Sequence, residues 1–221
     1  MGHYGAQCIR RIGYLDRRTR ARPSTHVSLL WLVLVNAIAS YVGASIWIYE
    51  KARAGKVALL GVTMLTLTSA YLTTVFPENN SNAEIISALL EIISSGALLG
   101  AVMMSMLLGH WYLNTPGMKL DPLHKLLGFC LWALAFRTIV SATGLYFYLT
   151  ANDVSTSWWI FVSLRWITGV AATLVMVILA QLTLRVPNTQ SATGILYAAT
   201  VVVLVGELTA QLLSENVLYP L

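Results

Sequence analysis

Apolar residues fill most of the chain from residue 25 to residue 213, and short polar loops interrupt them. The loops contain Pro, Gly, Asn and Asp, which commonly end helices. Because about 20 apolar residues at ~1.5 Å each cross the hydrocarbon core of a bilayer, each apolar run predicts a transmembrane helix. The six predicted spans cover residues of about 25–49, 57–76, 83–113, 126–150, 158–184 and 191–213.

Short loops join helices that are neighbours and antiparallel. The pattern therefore predicts an all-α, polytopic integral membrane protein: a six-transmembrane-helix antiparallel bundle in residues 25–221, preceded by a basic arm in residues 1–24. Of the 221 residues, 57% are hydrophobic and only 10% are charged, against roughly 25% charged residues in a soluble domain. We expect the lipid bilayer as a partner, and a bacterial inner membrane as the location.

The N-terminal arm is rich in arginine, and two roles are open for it. It can anchor the chain to anionic lipid headgroups, or it can dock a partner subunit of the membrane. The arginines of this arm are Arg10, Arg11, Arg17, Arg18, Arg20 and Arg22. The net charge of +5 does not indicate nucleic-acid binding, because the basic residues are not interleaved with exposed aromatic residues.

An even number of spans places both termini on one side of the membrane, which we call the terminal face. The loops of the opposite face hold most of the remaining Lys and Arg residues, which would place those loops in the cytoplasm. The arginine-rich arm predicts the reverse. We favour a cytoplasmic arm, because moving that many arginines across the membrane is the harder step.

Four charged residues fall well inside predicted spans, away from the span ends, and they are the first candidates for a functional site: Glu91, Arg137, Arg165 and Glu207. A charge in lipid costs at least a few kcal/mol, so each should face the interior of the bundle or a watery cavity. Counting residues from the span ends places Glu91, Arg165 and Glu207 about 10–12 Å from the terminal face, with Arg137 one or two turns deeper. We predict that the first three contact one another, directly or through water, inside the bundle near the terminal face.

This charge network has two possible roles. It can be structural and set the register of the helices, or it can be functional. The functional interpretations are a proton path, a site for an anionic substrate at the arginines, or a quinone pocket. On the third span, Gly96 and Gly100 also form a GxxxG motif, which predicts close helix packing.

Two histidines, His110 and His124, lie at the end of the third span and the start of the fourth. A hairpin can bring them together, and two helix-borne histidines at matched depth are what axial ligation of a b-type haem needs. The alternative is that both are interfacial residues. Cys8 and Cys130 lie in different settings, and we expect no metal cluster of cysteine and histidine.

The chain contains no nucleotide-binding loop, zinc-protease motif or nucleophile elbow. The leading hypothesis is a small membrane subunit of an electron-transfer or respiratory complex, close to quinone or haem and without a catalytic centre of its own. The second is a small transporter or proton-coupled carrier that uses the Glu/Arg network. The third is a membrane-embedded enzyme with Glu91 or Glu207 as an acid or base.

Overall fold

A computed structural model of the chain describes residues 23–49, 52–74, 82–115, 117, 119–151, 156–186 and 188–214. Within these ranges every regular element is helical. The helices are α1 (Pro23–Ile48), α2 (Ala52–Thr74), α3 (Asn82–Asn114), α4 (Asp121–Ala151), α5 (Thr156–Arg165), α6 (Thr173–Arg185) and α7 (Thr189–Ser214). A π-helix, Trp166–Ala172, joins α5 to α6 without a break.

Among the described residues, five helical runs are long and apolar enough to cross a membrane. They are Arg53–Leu72, Ile85–Asn114, Asp121–Thr150, Trp158–Arg185 and Thr189–Ser214. The apolar part of α1 is shorter, Leu30–Ile46. The predicted all-helical class is confirmed, and helices of this length and composition indicate an integral membrane protein in a lipid bilayer.

The largest differences from the predicted boundaries lie at two helix starts, since α2 begins at Ala52 and α4 at Asp121. Hydropathy locates the apolar segment, whereas a helix continues through the polar residues that flank it. Pro122 follows the first residue of α4, a place where the fixed φ of proline suits helix initiation.

The chain divides into two compact units, residues 1–76 and 77–221. In the first unit α1 packs against α2. The Nδ2 atom of Asn36 on α1 donates to the Oγ atom of Ser69 on α2 at 2.7 Å. Most of the apolar side chains described in this unit are exposed, as expected for helices that face lipid.

In the second unit α7 is the central helix, and it packs against α3, α5, the π-helix and α6. The buried residues of α7 recur every three or four positions, so they form one face of the helix. Members of this face include Leu196, Ala199, Val203 and Ala210. The helix begins at a capped end, because the Ser191 N–H donates to the Asn188 Oδ1 atom at 3.1 Å.

Helices α3 and α7 run antiparallel, as their side-chain contacts show. Ser95 of α3 contacts Glu207 of α7, and His110 near the end of α3 contacts Tyr197 nearer the start of α7. Helix α4 packs against α3 and α6. This arrangement turns side chains from α3, α4 and α5 towards the buried face of α7.

Candidate functional site

The centre of the candidate site is Glu207, a buried residue of α7 with 3% of its surface exposed. Its Oε1 atom accepts hydrogen bonds from the Arg137 Nε at 3.1 Å and from the Arg165 Nη2 at 3.3 Å. Its Oε2 atom accepts from the Arg137 Nη2 at 2.9 Å and from the Ser95 hydroxyl at 2.6 Å. A carboxylate offers about four acceptor positions, so Glu207 has no capacity for another donor.

Arg137 reaches this carboxylate from α4 and is 1% exposed. It binds Glu207 through two nitrogens, the paired geometry that makes arginine–carboxylate contacts strong and directional. Its third nitrogen, Nη1, lies 3.4 Å from the Ser94 hydroxyl of α3. Each nitrogen of the Arg137 guanidinium therefore has a partner.

Arg165, at the end of α5, is equally buried but is not satisfied. Only its Nη2 atom has partners: the Glu207 Oε1 and the Ser141 hydroxyl, which is 3.2 Å away. Its Nε and Nη1 atoms are buried and have no hydrogen-bond partner among the described residues. A buried cationic donor without an acceptor is expensive. Because Glu207 already accepts four bonds, it cannot take these N–H groups.

Two glycines bring the backbones of α7 and the π-helix into direct contact. A Cβ atom on Gly206 would overlap the Cα atom of Gly169, and a Cβ atom on Gly169 would overlap the Arg165 Nη1. The guanidinium of Arg165 thus lies directly over Gly169. Seven-residue π-helical segments are rare, and π-helical turns inside α-helices occur frequently at functional sites.

Glu91 lies beside the cluster rather than in it. It is half-buried, and its Oε1 atom accepts a hydrogen bond from the Ser214 hydroxyl at 3.2 Å. Of the predicted three-way contact, the structure contains the Arg165–Glu207 pair. Arg137, expected deeper in the membrane, takes the place expected for Glu91.

Arg137 rather than Glu91 reaches Glu207 because the helix ends at the terminal face do not lie in one plane, whereas the sequence-based depths assumed that they do. Ser214, at the end of α7, is level with Glu91 rather than with the start of α3. Glu207 precedes Ser214 by seven residues, about 10 Å along the helix, so it lies deeper than Glu91. Its side chain also leans towards the start of α7, as side chains in α-helices do. The long Arg137 side chain covers the rest of the distance.

The structure gives the two candidate haem ligands separate surroundings. The Nδ1 atom of His110 lies 3.1 Å from the Tyr197 hydroxyl, and the two rings pack edge to face. His124 is exposed in the first turn of α4, where its backbone N–H donates to the Leu120 carbonyl at 3.1 Å. Haem ligation by this pair stays a prediction. The arginines of the N-terminal arm lie outside the described residues.

Sequence reasoning missed Ser94 and Gly206. Ser94 lies three residues after Glu91, a spacing that places both on one helix face, so helical periodicity would have identified it. Gly206 carries a weaker signal, since a small residue beside a buried charge is also common in ordinary helix contacts. Its direct contact with Gly169 follows only from the packing of α7 on the π-helix.

Comparison of the chain with known protein families, curated proteins and solved structures found no match.

Proposed function

We propose that this chain is a six-span integral membrane protein that binds a small anion at Arg165, in the manner of a small carrier. The observation that supports this function is the pair of buried Arg165 nitrogens, Nε and Nη1, that lack an acceptor within the described part of the chain. Glu207 is saturated by its four donors, so an oxygen of a ligand is the natural partner for these two N–H groups.

The charge of the cluster favours an anion over a neutral ligand. Two guanidinium groups face one carboxylate, which leaves one positive charge among Arg137, Arg165 and Glu207. This charge is unbalanced whenever the nearby Glu91 is protonated, and an unbalanced charge in a low-dielectric interior is costly. A bound anion supplies both the missing acceptor and the missing charge, whereas a neutral carbonyl group supplies only the acceptor.

The first test uses Arg165→Lys, which keeps the positive charge but removes the guanidinium donors. We expect nitrate and formate to raise the melting temperature of the wild-type protein in detergent. At tenfold excess over Kd the stabilisation is about 1.4 kcal/mol, or about 3–6 °C for a chain of this size. Arg165→Lys should lose this response.

The matched control for this test is Arg185→Lys, an exposed arginine at the end of α6. This variant should respond to the anions as the wild-type protein does. An equal response of wild type, Arg165→Lys and Arg185→Lys would mean that the anions act on the surface and that Arg165 is not their site. Uptake of labelled formate into proteoliposomes then distinguishes a carrier from a binding protein.

The topology within this proposal is six antiparallel spans with both termini in the cytoplasm of a bacterial cell. Single cysteines at Ser81 and at Pro116, in a background without native cysteines, should react with a membrane-impermeant reagent from opposite sides. Labelling of both positions from one side would contradict six spans.

His110 and Tyr197 support a second candidate, the quinone-binding subunit of an electron-transfer complex. Both side chains are exposed, and their mutual hydrogen bond leaves one donor of the pair for a carbonyl that arrives from the bilayer. A quinone analogue should quench the tryptophan fluorescence of the wild-type protein, and Tyr197→Phe should weaken this quenching. A Soret band that His110→Ala or His124→Ala removes would instead establish the haem. Equal quenching in wild type and Tyr197→Phe would exclude the pair as a quinone site.

A further inference from the structure

Glu91 faces the same site from one helix turn away. It precedes Ser94 and Ser95 by three and four residues, and these two serines contact Arg137 and Glu207. Residues at this spacing share a helix face, with Cβ atoms about 5–6 Å apart. Glu91 also interacts electrostatically with both arginines and with Glu207.

The charge of Glu91 decides whether the whole site is neutral. Arg137, Arg165 and Glu207 together carry one positive charge. An ionised Glu91 balances it, and a protonated Glu91 leaves it uncompensated. A bound monovalent anion and an ionised Glu91 are therefore alternative ways to neutralise the same group of residues.

Of the two carboxyl groups, Glu91 and Glu207, Glu91 is the one that can more easily gain or lose a proton. The carboxylate form of Glu207 is held by two guanidinium groups and a hydroxyl, so protonating it would lose charge-assisted bonds. The hydrogen bond described for Glu91 comes from a neutral hydroxyl, that of Ser214, and its side chain is only half-buried. Protons from outside the cluster can reach it more easily.

We propose that Glu91 takes up one proton when the site binds a monovalent anion, so that anion binding is coupled to protonation. This inference rests on the anion site proposed at Arg165. The proton forms an O–H bond on the Glu91 carboxyl group and the anion binds the Arg165 N–H groups, so the site stays neutral. The charged groups near enough to act electrostatically on Glu91 are Arg137 from α4, Arg165 from α5 and Glu207 from α7. On α3 itself, Glu84 lies seven residues earlier, and its side chain is outside the described residues.

The experiment titrates sodium nitrate, which stays anionic over the whole range, into the purified full-length protein by calorimetry between pH 5 and pH 9. Above the pH at which free Glu91 ionises, the wild-type affinity should fall about tenfold per pH unit, because each anion then requires one proton. Buffers with different ionisation enthalpies report this uptake directly, as about one proton per nitrate.

The variant is Glu91→Gln, which keeps the shape of the side chain and an oxygen for the Ser214 hydroxyl but is permanently neutral. It should bind nitrate with the low-pH affinity of the wild type at every pH and take up no proton. Asp121→Asn is the matched control, since Asp121 is an exposed carboxylate at the start of α4. It should retain the wild-type pH dependence.

The outcomes separate the two proposals. If nitrate does not bind the wild-type protein at any pH, the anion site itself is refuted. If nitrate binding requires Arg165 but occurs in wild type without proton uptake, the anion site stands and the role of Glu91 is overturned. An unchanged pH dependence in Glu91→Gln likewise overturns the role of Glu91. The proton count on wild-type protein decides the question even if the variant does not fold.

Discussion

The contact between Gly206 and Gly169 yields the sharpest prediction for stability. A Cβ atom on Gly206 would stand 2.7 Å from the Gly169 nitrogen and 3.5 Å from the Thr168 carbonyl carbon. These neighbours are backbone atoms, which cannot rotate away as the end of a flexible side chain can. In Gly206→Ala, α7 and the π-helix must therefore separate, and the 3.3 Å bond between Arg165 and Glu207 lengthens with them.

The expected magnitude follows from three contributions. Helix propensity favours alanine over glycine by about 1 kcal/mol, whereas overpacking costs about 1–3 kcal/mol. Loss of a charged hydrogen bond adds about 1.5–3 kcal/mol. Together these terms predict that Gly206→Ala lowers the free energy of unfolding by about 1.5–5 kcal/mol.

A matched control exists on the same helix. A Cβ atom added to Gly194 would have no atom of the described residues within 4 Å, so Gly194→Ala should be neutral or stabilise the protein by up to about 1 kcal/mol. The measurement is thermal unfolding of both variants in one detergent, followed by tryptophan fluorescence. If Gly206→Ala proves as stable as Gly194→Ala, the two backbones do not touch at this point and the position inferred for Arg165 is wrong.

Three further predictions concern single contacts. Glu207→Gln should destabilise the protein by about 3–5 kcal/mol, because it leaves two buried guanidinium groups without their carboxylate, and Arg137→Gln should cost about 1.5–3 kcal/mol for each charged hydrogen bond lost to Glu207, which keeps Arg165; the double variant should cost clearly less than the sum, and strict additivity would refute the pairing. In the first unit, a double-mutant cycle between Asn36→Ala and Ser69→Ala should show a coupling of about 0.6 kcal/mol, and zero coupling would show that their hydrogen bond contributes nothing. Asn188→Ala should cost about 1 kcal/mol through the lost N-cap of α7, whereas Asn188→Asp should retain stability; equal losses would exclude capping.

Much of the fold was accessible from hydropathy alone. Backbone polar groups cannot stay unsatisfied in lipid, so long apolar runs have few alternatives to helix. The same reasoning identified the four intramembrane charges, because a charged residue inside an apolar run is costly in lipid and must therefore face the interior of the protein. Their partners were harder to predict. Arg137 rather than Glu91 binds Glu207. This could not be predicted, because the sequence of one helix does not determine its offset along a neighbouring helix or how far its side chains extend across the contact.

The glycines show the same division. Gly96 and Gly100 form the motif that predicts close packing, yet no atom lies within 4 Å of a Cβ placed on either in the described structure. A close approach of two backbones is found instead between Gly169 and Gly206, two glycines far apart in the chain. The sequence by itself determined the helical, membrane-embedded class and the residues that must turn inward, because both follow from the cost of polar groups in lipid. Only the tertiary structure decided which of these residues meet, and that two Arg165 donors have no acceptor among the described residues, because both depend on the relative positions of helices that only their packing sets.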